Sequence, residues 1–251
     1  MNVILLLSLL STPSSKIRNH GQKSYYKLCI LRITIATLQI ILIFMLIFLY
    51  SYLEKNSKTI FYKNVNIHDG TCVFRVSPIT LDLTQDGQIG VTGEISSIDK
   101  GINNTIGTTV EFDIDGDGKL DTIEWIDGLG DGLLVDNRDG NAANDMNGTR
   151  LFGDENGKYS NGYEKLALLD IDGDGKLSGD ELTGLSVWID DGDAKVQDGE
   201  LKTLAELEIT SISTQMTEST GIDGKMHMES VATKIDGTEI MTEDVWFTTT
   251  D

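Results

Sequence analysis

From Ile33 to Leu53 the chain runs through twenty-one residues without a charge, ITIATLQIILIFMLIFLYSYL. As a helix this segment would be about 31 Å long, the thickness of a hydrocarbon core, so it predicts one membrane-spanning helix. A buried core helix would need apolar partners that the rest of the chain does not offer. A cleaved signal peptide would have a shorter apolar run followed by an A-x-A-like site. The run Val3 to Leu10 is too brief to span. Beyond Pro78 the pattern becomes short apolar stretches between Asp/Asn/Gly clusters. Thr109 to Phe112 and Leu120 to Ile126 alternate apolar and polar residues and read as strands. Gly162 to Leu169 and Gly179 to Leu185 read as short helices, as does Leu201 to Leu207, where leucines recur three apart. The C-terminal third returns to strands, with Asp223-Gly224 and Asp236-Gly237 as turns.

The expected architecture is α+β: a loop-rich domain of short helices and small antiparallel sheets, preceded by one transmembrane helix. The divisions are a basic N-terminal segment (1–32), the membrane helix (33–53), a polar stalk with some β character (54–76) and a folded domain (77–251) of about 175 residues, enough for one core.

Charge sharpens this division. Residues 1–76 carry nine Lys/Arg against two Asp/Glu, leaving eleven against thirty-eight in the remainder, so the two parts stand near +7 and −27. Five basic residues precede the apolar run and three lysines follow it, which by the positive-inside rule places the acidic domain outside the cytoplasm. A domain at −27 repels itself, and bound cations are the simplest relief. With no basic patch in the domain, nucleic acid is excluded as a partner. Cys29 and Cys72 flank the apolar segment and imply neither a disulfide framework nor a thiolate metal site. His20, His68 and His227 are far apart in sequence, and no G-x-S-x-G or H-E-x-x-H motif occurs.

The acidic loops carry the chemistry. DIDGDGKLDTIE places Asp113, Asp115, Asp117, Lys119, Asp121 and Glu124 at positions 1, 3, 5, 7, 9 and 12 of the EF-hand pattern, with Gly118 at position 6. DIDGDGKLSGDE repeats it with Asp170, Asp172, Asp174, Lys176, Ser178 and Glu181, and Gly175 at position 6. Calcium (Ca2+) takes six to eight hard oxygens, which alternate residues turn inward. The lysines at position 7 would offer only a backbone carbonyl, and a glutamate at 12 closes the shell with two oxygens. Three further segments fall short. Asp82 to Gly93 lacks the closing carboxylate, Asp136 to Asp145 has no glutamate, and Asp190 to Glu200 is one residue short.

From Pro78 onward the motifs PITLDLTQDG, FDIDGDGKLDTIEWI, DGLLVDNRDGN, LFGD, NGYEKLALLDIDGDGKLS, LSVWIDDGD, GELKTLAEL and DVWF follow in an order that resembles the calcium-binding, self-processing module of secreted RTX-type proteins. The resemblance covers about 170 residues. It implies calcium-dependent folding outside the cytoplasm and, in some members, calcium-triggered cleavage of an Asp-Pro bond, in which the aspartate carboxylate attacks its own carbonyl. Here the matching junction is Ser77-Pro78, and no nonapeptide RTX repeat is present. The leading expectation is a non-catalytic, membrane-anchored calcium-binding module that presents a surface to a protein partner. The alternative is a calcium-triggered self-processing module.

Overall fold

A computed structural model describes residues 63–65, 72–94, 96–98 and 106–249, all within the compact unit Ser57–Asp251. The membrane helix expected at 33–53 and the basic segment 1–32 lie outside the described residues. Among those described, no helix is long and apolar enough to cross a membrane. The single-pass anchor, and the localisation built on it, therefore find no support in the structure.

The fold is mostly β, which corrects the α+β expectation. Fourteen strands are described: β1 Lys63–Val65, β2 Cys72–Val76, β3 Ile79–Leu81, β4 Thr109–Phe112, β5 Asp121–Glu124, β6 Gly132–Asp136, β7 Lys176–Ser178, β8 Leu185–Trp188, β9 Leu201–Thr203, β10 Ile209–Ser213, β11 Thr217–Thr220, β12 Met226–Lys234, β13 Glu239–Asp244 and β14 Phe247–Thr248. Against them stand one five-residue α-helix, α1 Gly162–Leu166, and three short 3-10 turns. Nine strands form a curled antiparallel sheet in the order β7-β10-β12-β13-β3-β6-β8-β9, with β11 beside β12. Strands β1, β2 and β14 form a second sheet, and β4 and β5 a hairpin. Part of the expected stalk is thus strand, since β2 pairs with β14.

At β6 and β8 the large sheet is buried on both faces, and alternation assigns its side chains. On β6, Leu133 and Val135 enter one core with Trp125, Trp188 and Phe247, while Leu134 enters the other with Ile79, Leu81, Val187 and Ile212. On β8, Trp188 and Val187 divide in the same way. A strand buried on both sides reads as a continuous apolar run, GLLVD and LSVW here, and gives no amphipathic signal.

Two expected helices are corrected. Leu201 begins β9, held in register with β8 by the pairs Trp188–Leu201 and Ser186–Thr203. The leucine spacing is met instead by a single following turn, in which Thr203 and Glu206 bond each other and Leu207 N–H reaches the Thr203 carbonyl. The Gly179–Leu185 segment has only a 3-10 turn at Gly179–Leu182 before β8 begins at Leu185. The strands at 109–112 and 121–124 and the two C-terminal turns lie where the alternation places them.

Candidate metal centre and a buried acidic junction

The second acidic loop follows α1, which Asn161 caps by accepting the Glu164 N–H at 2.9 Å. Asp170 gathers the loop's backbone: its Oδ1 accepts from Gly173 and Asp174, and its Oδ2 from Gly175 at 2.9 Å. Gly175 takes φ +89°, the sharp bend for which position 6 requires glycine. Leu177, fully buried, then anchors the loop by pairing with Ile212 of β10. Glu181 folds back over the mouth, accepting from Ile171 at 2.7 Å and Ser178 at 3.0 Å. Those N–H donors, Ser178 foremost, hold its carboxyl below the usual range. One oxygen each from Asp170, Asp172 and Glu181 lies within 4.8 Å of the others. Asp174 Oδ1 accepts the Lys176 N–H at 3.0 Å, while the Lys176 ammonium stands 3.7 Å from its other oxygen.

The first loop is built differently. It is the tip of the β4–β5 hairpin, in which Phe112 faces Asp121 and Thr109 faces Glu124. Three strand steps lead from Asp121 to Glu124, about 10 Å at roughly 3.4 Å each, so a glutamate at position 12 is carried away from the tip. Glu124 is fully buried and its Oε2 accepts the Thr248 N–H at 2.9 Å. The carboxylates that converge are Asp113, Asp115 and Asp121. Asp117 turns outward to the Lys119 ammonium at 2.6 Å. Neither loop has the helix–loop–helix frame of an EF-hand: one sits on a hairpin, the other between a short helix and a sheet strand. The EF-hand description is corrected accordingly.

The remaining segments separate clearly. In the 136–145 segment, Arg150 reaches Asp139 at 2.8 Å and Asp145 at 3.1 Å, so a guanidinium already occupies the acidic pocket and holds the Asp139 carboxyl down to about 2. In the 82–93 segment, Asp82 spends its oxygens on Thr84, Asp86 and Gly87. The 190–200 segment brings Asp190, Asp191 and Glu200 together.

Composition gave no sign of one further site. The Ser77-Pro78 peptide lies between two buried carboxyls. Ser77 N–H donates to Asp154 Oδ1 at 3.1 Å, and Gly157 N–H donates to Asp154 Oδ2 at 2.9 Å. The Pro78 carbonyl accepts from Val245 at 3.0 Å, and Asp244 Oδ1 accepts from Gly162 at 3.1 Å. The Ser77 hydroxyl is near enough to favour the ionised form of Asp244, against the upward push of burial, without completing a hydrogen bond to its Oδ2. Gly153 closes the site, since a Cβ there would stand 1.5 Å from the Ser77 carbonyl oxygen. Burial pushes Asp154 up to about 6 and Asp244 well above the carboxylate range, with the Glu155 charge adding to the first and the Asp154 and Glu243 charges to the second. The nearby buried cation, Lys165, is committed to Glu155 and to the Thr149 and Leu151 carbonyls. The signals were the LFGD and DVWF motifs, in which an aspartate sits beside aromatic core residues.

Among curated proteins, none matches this chain. The SPM domain family matches residues 79–248, about two thirds of the sequence and nearly the whole described fold, and the chain belongs to that family.

Proposed function

We propose that the domain is a calcium-binding module whose principal site is the loop Asp170–Glu181. The observation that supports it most is the convergence of Asp170, Asp172 and Glu181 to within 4.8 Å around a loop whose backbone N–H groups already orient those carboxylates. The donor set is all oxygen, which suits hard cations and not zinc or copper. A flexible ring of several carboxylates suits calcium over magnesium, which prefers to keep its water. The β4–β5 tip, with Asp113, Asp115 and Asp121, is the second site on this reading. Binding relieves the self-repulsion of the acidic domain, so the ion would stiffen the fold and present its surface to a protein partner.

Calorimetric titration of the full chain with calcium tests this. Glu181→Gln should weaken one site by about tenfold or more through loss of a closing oxygen. Glu124→Gln should leave the ion count unchanged, because that side chain serves β14. No calcium uptake at millimolar concentration would refute the proposal.

A second reading, calcium-triggered self-processing, is favoured by the burial of the Ser77-Pro78 peptide between Asp154 and Asp244. The residue at the junction argues against it. An aspartate attacking its own carbonyl closes a five-membered anhydride, whereas a serine hydroxyl would close a strained four-membered lactone. The domain is therefore proposed to be non-catalytic, with the junction serving as a structural anchor.

A further inference from the structure

Within the loop joining β8 to β9, the acidic segment Asp190–Glu200 is eleven residues, one short of the pattern that the two loops above follow, yet it begins on an almost fully buried aspartate. Asp190 is 1% exposed. Its Oδ2 is fully engaged by three donors, Trp125 Nε1–H at 2.7 Å, Gly192 N–H at 2.9 Å and Ala194 N–H at 3.1 Å. Its Oδ1 is buried and has no partner. Ten residues on, Glu200 Oε2 accepts from Trp188 Nε1–H at 3.1 Å and Gln197 N–H at 2.8 Å, and its Oε1 takes a 3.3 Å bond from Asp191 N–H. Asp191, exposed at the loop mouth, brings its carboxylate to within 4.8 Å of the other two.

A buried carboxylate oxygen without a donor carries a desolvation cost that a cation would remove. Among the described residues no ion pair reaches Asp190, Asp191 or Glu200. The loop's own Lys195 leans toward Asp193, 3.9 Å away. The 136–145 segment shows how this fold supplies an internal cation when it has one, with Arg150 set among the acids. At 190–200 nothing takes that place. The two indole donors also fix Asp190 and Glu200 to an aromatic cluster in which Trp125 and Trp188 meet edge to face at 5.7 Å, so the carboxylates are held in place without the ion.

We propose that Asp190, Asp191 and Glu200 form a third hard-cation site, of calcium class, in which Asp190 Oδ1 is the embedded ligand and the two tryptophan indoles hold the carboxylates. This rests on the reading of the domain as a cation binder but names a different loop. Because indoles touch its ligands, the site has a signature the other two lack: a bound lanthanide receives energy directly from Trp125 and Trp188.

The test is titration of the full, chelator-stripped chain with terbium(III) alone, reading terbium emission excited through tryptophan, beside calorimetric site counting with calcium. Asp190→Asn should cut the sensitised emission several-fold and remove one calcium, while Glu181→Gln should remove a different calcium and keep most of the emission. Asp191→Asn, at an exposed position that folding tolerates, should weaken the emitting site by about tenfold and keeps the test decisive if Asp190→Asn does not fold. Emission and ion count unchanged in Asp191→Asn would overturn this site while leaving the Asp170 loop standing. An absence of any bound ion in the unaltered chain would overturn both.

Discussion

Asp154→Asn is the sharpest probe of the buried junction, because its effect should change sign with pH. In the folded chain burial pushes the Asp154 carboxyl from 3.8 up to about 6. A carboxyl with a raised folded value destabilises the fold once ionised: the cost is absent below the unfolded value and grows as pH rises through the folded one. Spread over that interval of roughly two pH units, the cost at pH 7 is about 3 kcal/mol, of which about 2 kcal/mol develops between pH 4 and pH 7. Asparagine removes this titration but turns an amide N–H₂ toward either the Ser77 or the Gly157 N–H, losing one hydrogen bond at a pH-independent cost of about 1 kcal/mol. The variant should therefore be slightly less stable than the natural chain at pH 4 and about 2 kcal/mol more stable at pH 7. For a domain of this size that is a rise in Tm of about 4 to 8 °C at neutral pH. Thermal and denaturant unfolding of both proteins in chelator, at the two pH values, measures the double difference directly. A stability difference that does not move with pH, or that favours the natural chain more at pH 7 than at pH 4, would refute the claim that burial outweighs the two N–H donors at this carboxyl.

Other consequences are open to simpler measurements. His227 sits between Glu243, 2.7 Å from Nδ1, and Asp223, 3.1 Å from Nε2, and the Glu243 contact raises it to about 9. Its stabilising contribution is complete below about 6.5 and fades as pH rises through 9. Melting curves from pH 7 to 10 should show a loss of several degrees that His227→Gln abolishes; an identical alkaline slope in both proteins would contradict the pairing. Full-length chain held in millimolar calcium for hours should stay intact by mass, whereas Ser77→Asp, which restores the five-membered ring closure, tests whether Asp154 and Asp244 support cleavage. A calcium-dependent fragment beginning at Pro78 in the unaltered protein would show that the serine junction is reactive after all.

What the sequence revealed and what it concealed follow from the range over which each signal acts. The acidic loops were legible because each is a local device. An aspartate at position 1 bonds N–H groups three to five residues on, as Asp170 does, and glycine at position 6 meets a backbone demand set inside the same turn. The β4–β5 alternation and the two Asp-Gly turns were legible for the same reason. Glu124 does not join the converging acids of its loop because a strand, not a helix, begins at position 9. The same spacing on a strand carries the glutamate into the core, where its partner is Thr248, 124 residues away. The leucines at 201, 204 and 207 misled in the opposite sense, since β9 is fixed by β8 pairing that no window around 201 contains.

The buried junction lay beyond local reading altogether, and its composition explains how. Ser77, Asp154 and Asp244 come from three distant segments, and what unites them is a run of backbone contacts: Ile79 to Phe152, Val245 to Pro78, and the Pro78–Gly153 bridge. Sheet pairing between β3 and β13 sets Ile79 opposite Asp244, so the register of the large sheet alone determines that a carboxyl faces the peptide. A one-residue slip would turn Asp244 to the opposite face and seat a different side chain beside Pro78. The acidic loops hang from this same sheet, the Asp170 loop through β7 on β10 and the Asp190 loop between β8 and β9. A cation that tightened either loop would therefore bear on strands continuous with those that hold the junction, and the register of one sheet links the proposed cation loops to the buried acids.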